Sequence, residues 1–190
     1  MAIIPFQRLT LTEADSALLR QQLAGAQTEL ATITLGNEAT RLRLLGKLGE
    51  WHYLLGECEM ALPFLTDTVA MAERGGDARA LAANRLRLAT ALQYANRHRE
   101  AVHIFTLGLR ALAPSVDVTY RDFFLQHYGK CLVEMGDMTQ ARACLAEALT
   151  LRIAKGDAKL IASTEQALAG LAERDPITTS RIDSALFTSS

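Results

Sequence analysis

The chain has 190 residues, of which 49% are apolar and 22% charged, an ordinary balance for a soluble globular protein. Its 20 basic and 21 acidic residues leave a net charge of -1, without the basic excess that general binding to nucleic acid or to an anionic membrane requires. No apolar run approaches the ~20 residues needed to span a bilayer.

The opening MAIIPFQRLTLTEAD carries neither a basic n-region nor a long apolar core, so no secretory leader is expected. Cys58, Cys131 and Cys144 are odd in number and widely spaced. They fit a reducing compartment in which thiols pack as small apolar groups, and a cytoplasmic location is expected.

Residues 1–11 form a mixed apolar lead containing Pro5. Thr12 then supplies a capping oxygen before a helix expected over 13–34, with acids in its first turn. Leu19, Leu23, Ala26, Leu30 and Ile33 recur at helical steps and form one apolar stripe. Three hairpins follow, with helices expected over 38–55 and 57–74, 78–95 and 97–112, and 118–135 and 138–154. Their short turns make each pair antiparallel neighbours. A last helix is expected over 158–174, with Ile161, Leu168 and Leu171 inward, and Pro176 stands after it.

The hairpins repeat at a fixed spacing of 40 residues without gaps. The column Asn37, Asp77, Asp117, Asp157 holds helix N-capping residue types, and Gly36, Gly76, Val116, Gly156 precede it. Gly56, Asn96 and Gly136 tolerate a left-handed backbone where a helix must stop. Leu48-Gly49, Leu88-Ala89 and Tyr128-Gly129 place a minimal side chain on the first helix of each hairpin. Ala61, Ala101 and Ala141, each followed four residues later by Leu65, Phe105 and Leu145, present small and large residues one turn apart on the second. Together they read as one close helix contact built three times.

These residues resemble the tetratricopeptide-repeat (TPR) motif, W-x2-L-G-x2-Y, then A-x3-F, then P. Leu48-Gly49, Ala61, Leu88, Ala101, Phe105, Gly129 and Ala141 fall on it. The aromatic first position is instead Leu45, Arg85 and Leu125, the closing proline is missing, and the period exceeds the family's 34 residues, as in its kinesin-light-chain and bacterial-regulator branches. The resemblance covers residues 37–157 and extends to about 174. It implies an all-α, right-handed α-solenoid of antiparallel helix hairpins, with about eight helices. The expected organisation is a lead and capping helix (1–36), three repeats (37–76, 77–116, 117–156), a C-terminal capping helix (157–175) and a mobile tail (176–190).

Catalytic patterns do not emerge. There is no Gly-rich phosphate loop, paired-Cys motif or G-x-S-x-G. His98 and His103 are five residues apart and do not share a helix face, and His52 falls on a packing position. Cys131 and Cys144 read as core residues and Trp51 and Tyr53 as packing residues. No enzyme, cofactor or metal is expected.

In the TPR family the first helices line a concave groove, and this implies a candidate binding face here. Lys47, Arg87 and His127 occupy one site on successive first helices. Helical steps add Arg43, Glu50 and Leu54; then Ala83, Thr90 and Tyr94; then Phe123, Lys130 and Glu134. A basic ladder beside apolar spots suits an extended peptide or helix with acidic groups. The Lys and Asn pattern of the family's carboxylate clamp is not matched, so chaperone-tail binding is not implied. The expected function is a protein-interaction module, an adaptor or regulatory subunit in a bacterial setting, binding protein or peptide but not nucleic acid or membrane. One alternative is a homodimer formed through an exposed patch at Tyr120, Phe123 and Phe124, with Phe187 of the tail. The other is a dedicated chaperone or regulator of a secreted protein or an enzyme.

Overall fold

A computed structural model of the chain describes residues 5–34, 36–112 and 114–174. The described residues form eight α-helices: α1 (Glu13–Thr32), α2 (Glu38–Leu54), α3 (Cys58–Gly75), α4 (Ala78–Tyr94), α5 (His98–Ala111), α6 (Pro114–Met135), α7 (Met138–Lys155) and α8 (Ala158–Arg174). They contain no strand. The expected tail at 176–190, with Phe187, lies outside the described residues. The fold is all-α, a solenoid of consecutively packed helices. The chain divides into two compact units: Arg8–Phe124, and Met1–Gln7 with Leu125–Ser190.

The turns explain the register. Gly56, Asn96 and Gly136 have φ of 80°, 61° and 85°. In each turn the next amide reaches back five residues: Glu57 donates to the His52 carbonyl at 2.8 Å, Arg97 to Leu92 at 2.8 Å and Asp137 to Leu132 at 3.0 Å. That is the Schellman arrangement, which satisfies carbonyls that the ending helix leaves bare and needs a left-handed residue to do so.

The close helix contact follows from the small residues. A Cβ added to Gly49 would collide with the Leu65 side chain and lie 3.3 Å from the Ala61 carbonyl oxygen. At Gly129 it would lie 2.8 Å from the Leu145 Cγ and 3.3 Å from the Ala141 carbonyl oxygen. The absence of a side chain is what lets α3 seat on α2, and α7 on α6, with Ala61, Leu65, Ala141 and Leu145 buried beneath. The α1 stripe also packs as its period requires. Ala26 joins Leu44 and Leu48 of α2, with Leu23, Leu30 and Ile33 alongside. Thr12 caps α1 by accepting the Asp15 amide at 3.1 Å.

One expected turn is not built. A cap at Asp117 and a helix start at 118 were the expectation, but α6 begins at Pro114 and Asp117 lies in its first turn. The column explains this. Gly36, Gly76 and Gly156 have φ of 105°, 66° and 74°, whereas the fourth member is Val116. A β-branched residue resists the left-handed region, and proline is favoured at the first position of a helix. The helix therefore starts a turn early. Asp77 and Asp157 do cap, accepting the Ala80 amide at 2.9 Å and the Leu160 amide at 3.1 Å. Asn37 makes no side-chain cap bond.

Candidate functional site

In the unit Arg8–Phe124, α2 and α4 come close where Gly46 faces Asn84; an added Cβ would sit 2.7 Å from the Asn84 Oδ1. Beside this approach lies a cavity of about 790 Å³, floored by the end of α3. Arg43 and Lys47 enter it from α2, Arg74 from α3, and Ala83, Asn84 and Arg87 from α4. Leu42 and Met71 supply apolar wall, and the carboxylates of Glu38 and Asp77 also line it. Four cations thus share one concave space with an apolar lining.

Their engagement differs. Arg87 donates through Nε to Glu50 at 2.9 Å and through Nη1 to the Asn84 Oδ1 at 3.3 Å. Arg43 pairs with Glu29 at 3.2 Å, both half exposed, an arrangement that water and salt weaken. Lys47 is exposed, its Nζ 5.8 Å from the centre of the Trp51 ring, a cation–π contact that leaves its charge unneutralised. Arg74 and Lys47 have no carboxylate partner among the described residues. Asp77 is held at the α4 cap.

The cavity therefore unites Arg43, Lys47 and Arg87 of the expected ladder. Arg74 was not expected, because the family rule places only first helices on the groove. Its position in the last turn of α3, a usual site for a cation, is the signal available in the sequence. Leu54 is half-buried. Thr90 is not a surface contact; it is buried, and its hydroxyl donates to the Leu86 carbonyl at 2.9 Å. Tyr94 is covered too. The Leu9 amide donates to its hydroxyl at 2.8 Å, the Arg8 guanidinium carbon lies 5.2 Å from its ring centre, and Tyr53 meets it edge-on at 5.5 Å. Arg8 also donates to the carbonyls of Tyr94 and Gln93, both at 3.0 Å.

The patch at Tyr120, Phe123 and Phe124 is not exposed as expected. Phe124 is 0% exposed, and its ring fills the place a Gly108 side chain would take. Phe123 and Tyr120 are half-buried. The early start of α6 accompanies this burial, and the aromatic cluster reads as packing rather than a free dimer face.

In the unit of Met1–Gln7 and Leu125–Ser190, the expected third rung is not basic. Burial, then the nearby charges of Lys130 and Arg152, push the His127 imidazole down to about 3, so it is neutral at physiological pH. Burial also lowers Lys130, whose Nζ donates to the Gln7 carbonyl at 3.2 Å. Glu134 is buried and accepts the Phe6 amide at 2.8 Å. Lys130 and Glu134 thus contact the chain's own lead segment instead of presenting an open basic face.

The remaining titratable groups serve packing. His52 is buried, stacked on Phe64 at 5.5 Å, and bonds through Nδ1 to Glu57 at 2.8 Å. That bond, followed by Arg20, holds the Glu57 carboxyl below its usual range. Cys131 and Cys144 are buried thiols outside any disulfide, and burial, with Glu147 and Asp137, pushes Cys144 up to about 11. A reactive thiol needs the opposite shift. Among the described residues no group of three or more His, Cys, Asp or Glu could hold a metal, and no helix is long and apolar enough to cross a membrane.

No protein-family model matches this sequence, and no curated protein matches it. Solved structures do. BtubC (BKLC) from P. vanneervenii superposes with a TM-score of 0.66 at 13% identity, over 93% of this chain and 75% of that one. A Podosopora anserina putative kinesin light chain with nearly identical TPR-like repeats superposes with a TM-score of 0.60 at 17% identity, over 94% of this chain and 89% of that one. The fold is thus that of the TPR-like helical repeats.

Proposed function

We propose that this chain is a non-catalytic adaptor or regulatory subunit that binds an acidic segment of a partner protein in the α2–α3–α4 cavity. The observation that carries the reading is the convergence of Arg43, Lys47, Arg74 and Arg87 on one cavity, with Lys47 and Arg74 lacking a carboxylate partner among the described residues. Carboxylates of the partner would accept charge-assisted hydrogen bonds from these groups, while Leu42 and Met71 take an apolar side chain between them. The fold supports the general role, since helical repeats offer concave surfaces to other chains.

The test is a fluorescence-anisotropy titration of a labelled Asp/Glu-rich peptide carrying one leucine. Wild type is compared with Lys47→Glu/Arg74→Glu, because neither residue supports an internal ion pair. Binding weakened by added salt, and lost by about tenfold or more in the variant, is the expected result. Equal affinity for both proteins would remove the cavity as the site.

A further inference from the structure

The lead segment Pro5–Gln7 is seated on α6 and α8 as a ligand would be. Phe6 is only 2% exposed. Its ring lies under the Arg174 guanidinium, 4.8 Å from carbon to ring centre, and against Gly170, where an added Cβ would come 3.2 Å from the ring. The main chain is read at three successive residues. Arg174 donates to the Pro5 carbonyl at 3.1 Å, the Phe6 amide donates to the Glu134 carboxylate at 2.8 Å, and Lys130 donates to the Gln7 carbonyl at 3.2 Å. The Gln7 side-chain amide adds a bond to the Gln166 carbonyl at 2.9 Å.

Two features separate this seat from ordinary chain packing. First, most polar contacts go to main-chain atoms, which any extended segment offers, and only the aromatic ring and the amide are read as side chains. Charged groups of both signs are set for that purpose: a buried carboxylate for the amide, flanked by cations for the two carbonyls. Second, Gln7 has φ of 47°, a left-handed conformation that a glutamine rarely adopts and that the contacts on either side must hold in place. The resident segment is therefore an imperfect occupant, and one without that strain can replace it.

We propose that this face of α6 and α8 is a docking site for an extended proline–aromatic segment of another protein, with Pro5–Gln7 as its resident occupant in cis. Gly170 and Arg174 select the aromatic ring, between a bare helix surface and a guanidinium plane. Glu134 and Lys130 fix the direction of the incoming chain by pairing with its amide and carbonyl. This site is independent of the basic cavity and selects an aromatic group rather than acidic ones.

The experiment uses the full chain and a fluorescein-labelled peptide, AIIPFQ, copied from residues 2–7. Phe6→Ala vacates the ring's place against Gly170 and leaves the resident segment held by its main chain and the Gln7 side-chain amide; Phe6→Ala/Gly170→Leu then fills that place with a side chain on α8. Circular dichroism melts accompany each titration. Expected results are peptide binding to Phe6→Ala about tenfold tighter than to wild type, loss of binding in the double variant, and none of the control AIIPAQ. Equal binding to wild type and Phe6→Ala, or no binding to either, would overturn the proposal. So would an unfolded Phe6→Ala, since the ring would then be integral core. A wild-type dimer in light scattering that Phe6→Ala dissolves would make the occupant a second copy of this chain and overturn the partner reading.

Discussion

Lys47 and His127 occupy equivalent positions, 80 residues apart on α2 and α6, yet one is an exposed cation and the other a half-buried neutral ring. In the unit Arg8–Phe124, Lys47 faces a cavity that no described residue fills. In the other unit, the chain's own lead covers the corresponding surface, and Lys130 and Glu134 contact its main chain. Position in a repeat fixes which way a side chain leaves its helix. Cover decides whether that side chain carries charge, because removing water raises the cost of the ionised form. The same kind of helix can therefore present an exposed cation in one unit and a covered, neutral side chain in the other.

The strongest challenge to this comparison is at the helix contact both units share. Gly49→Leu and Gly129→Leu should each destabilise the fold by ~1–3 kcal/mol, read as a lower melting temperature, since each overpacks a leucine and a carbonyl. A loss at only one site would show that the two contacts are not equivalent.

Acid sharpens the contrast next. The His127 pKa is depressed to about 3 from 6.5, so below pH 6.5 the unfolded chain binds a proton that the folded chain refuses. Stability contributed by neutral His127 is complete above pH 6.5 and falls as pH drops toward 3. His127→Gln should flatten that part of the melting-temperature profile, whereas Lys47→Gln should leave it unaltered. A profile insensitive to His127 would mean that the ring is not shielded.

A smaller effect distinguishes the two turn types. Asp77→Ala removes a true cap and should cost ~1 kcal/mol. Asp117→Ala removes only a surface pair with Arg121 inside α6, at 3.5 Å, and should cost ~0.3–0.5 kcal/mol. Matching losses in urea titrations would contradict the early start of α6.

The legible part of the fold was local. Helix ends at Gly56, Asn96 and Gly136 could be read because only certain residues take a positive φ at low cost. The Gly49 and Gly129 contacts could be read because small-residue spacing reports helix approach directly. Even the missed start of α6 had its signal, in Val116 and Pro114. The candidate sites were legible only in part. Lys47, Arg43 and Arg87 share a face by periodicity, but Arg74 joins them only because α3 ends beside them. Thr90 and Tyr94 looked like surface residues on a helical wheel, yet neighbouring chain buries or covers them.

The amino-acid sequence by itself determined the helices, their turns and the spacing of their contacts, since these depend on residues at most a few turns apart. Tertiary structure alone decided that Pro5–Gln7 would lie on α6 and α8, that Phe124 would be buried against Gly108, and that His127 would lose its charge. Those outcomes depend on which surface meets which across long stretches of chain. No periodicity encodes that meeting, and desolvation, which sets charge and availability, follows from it.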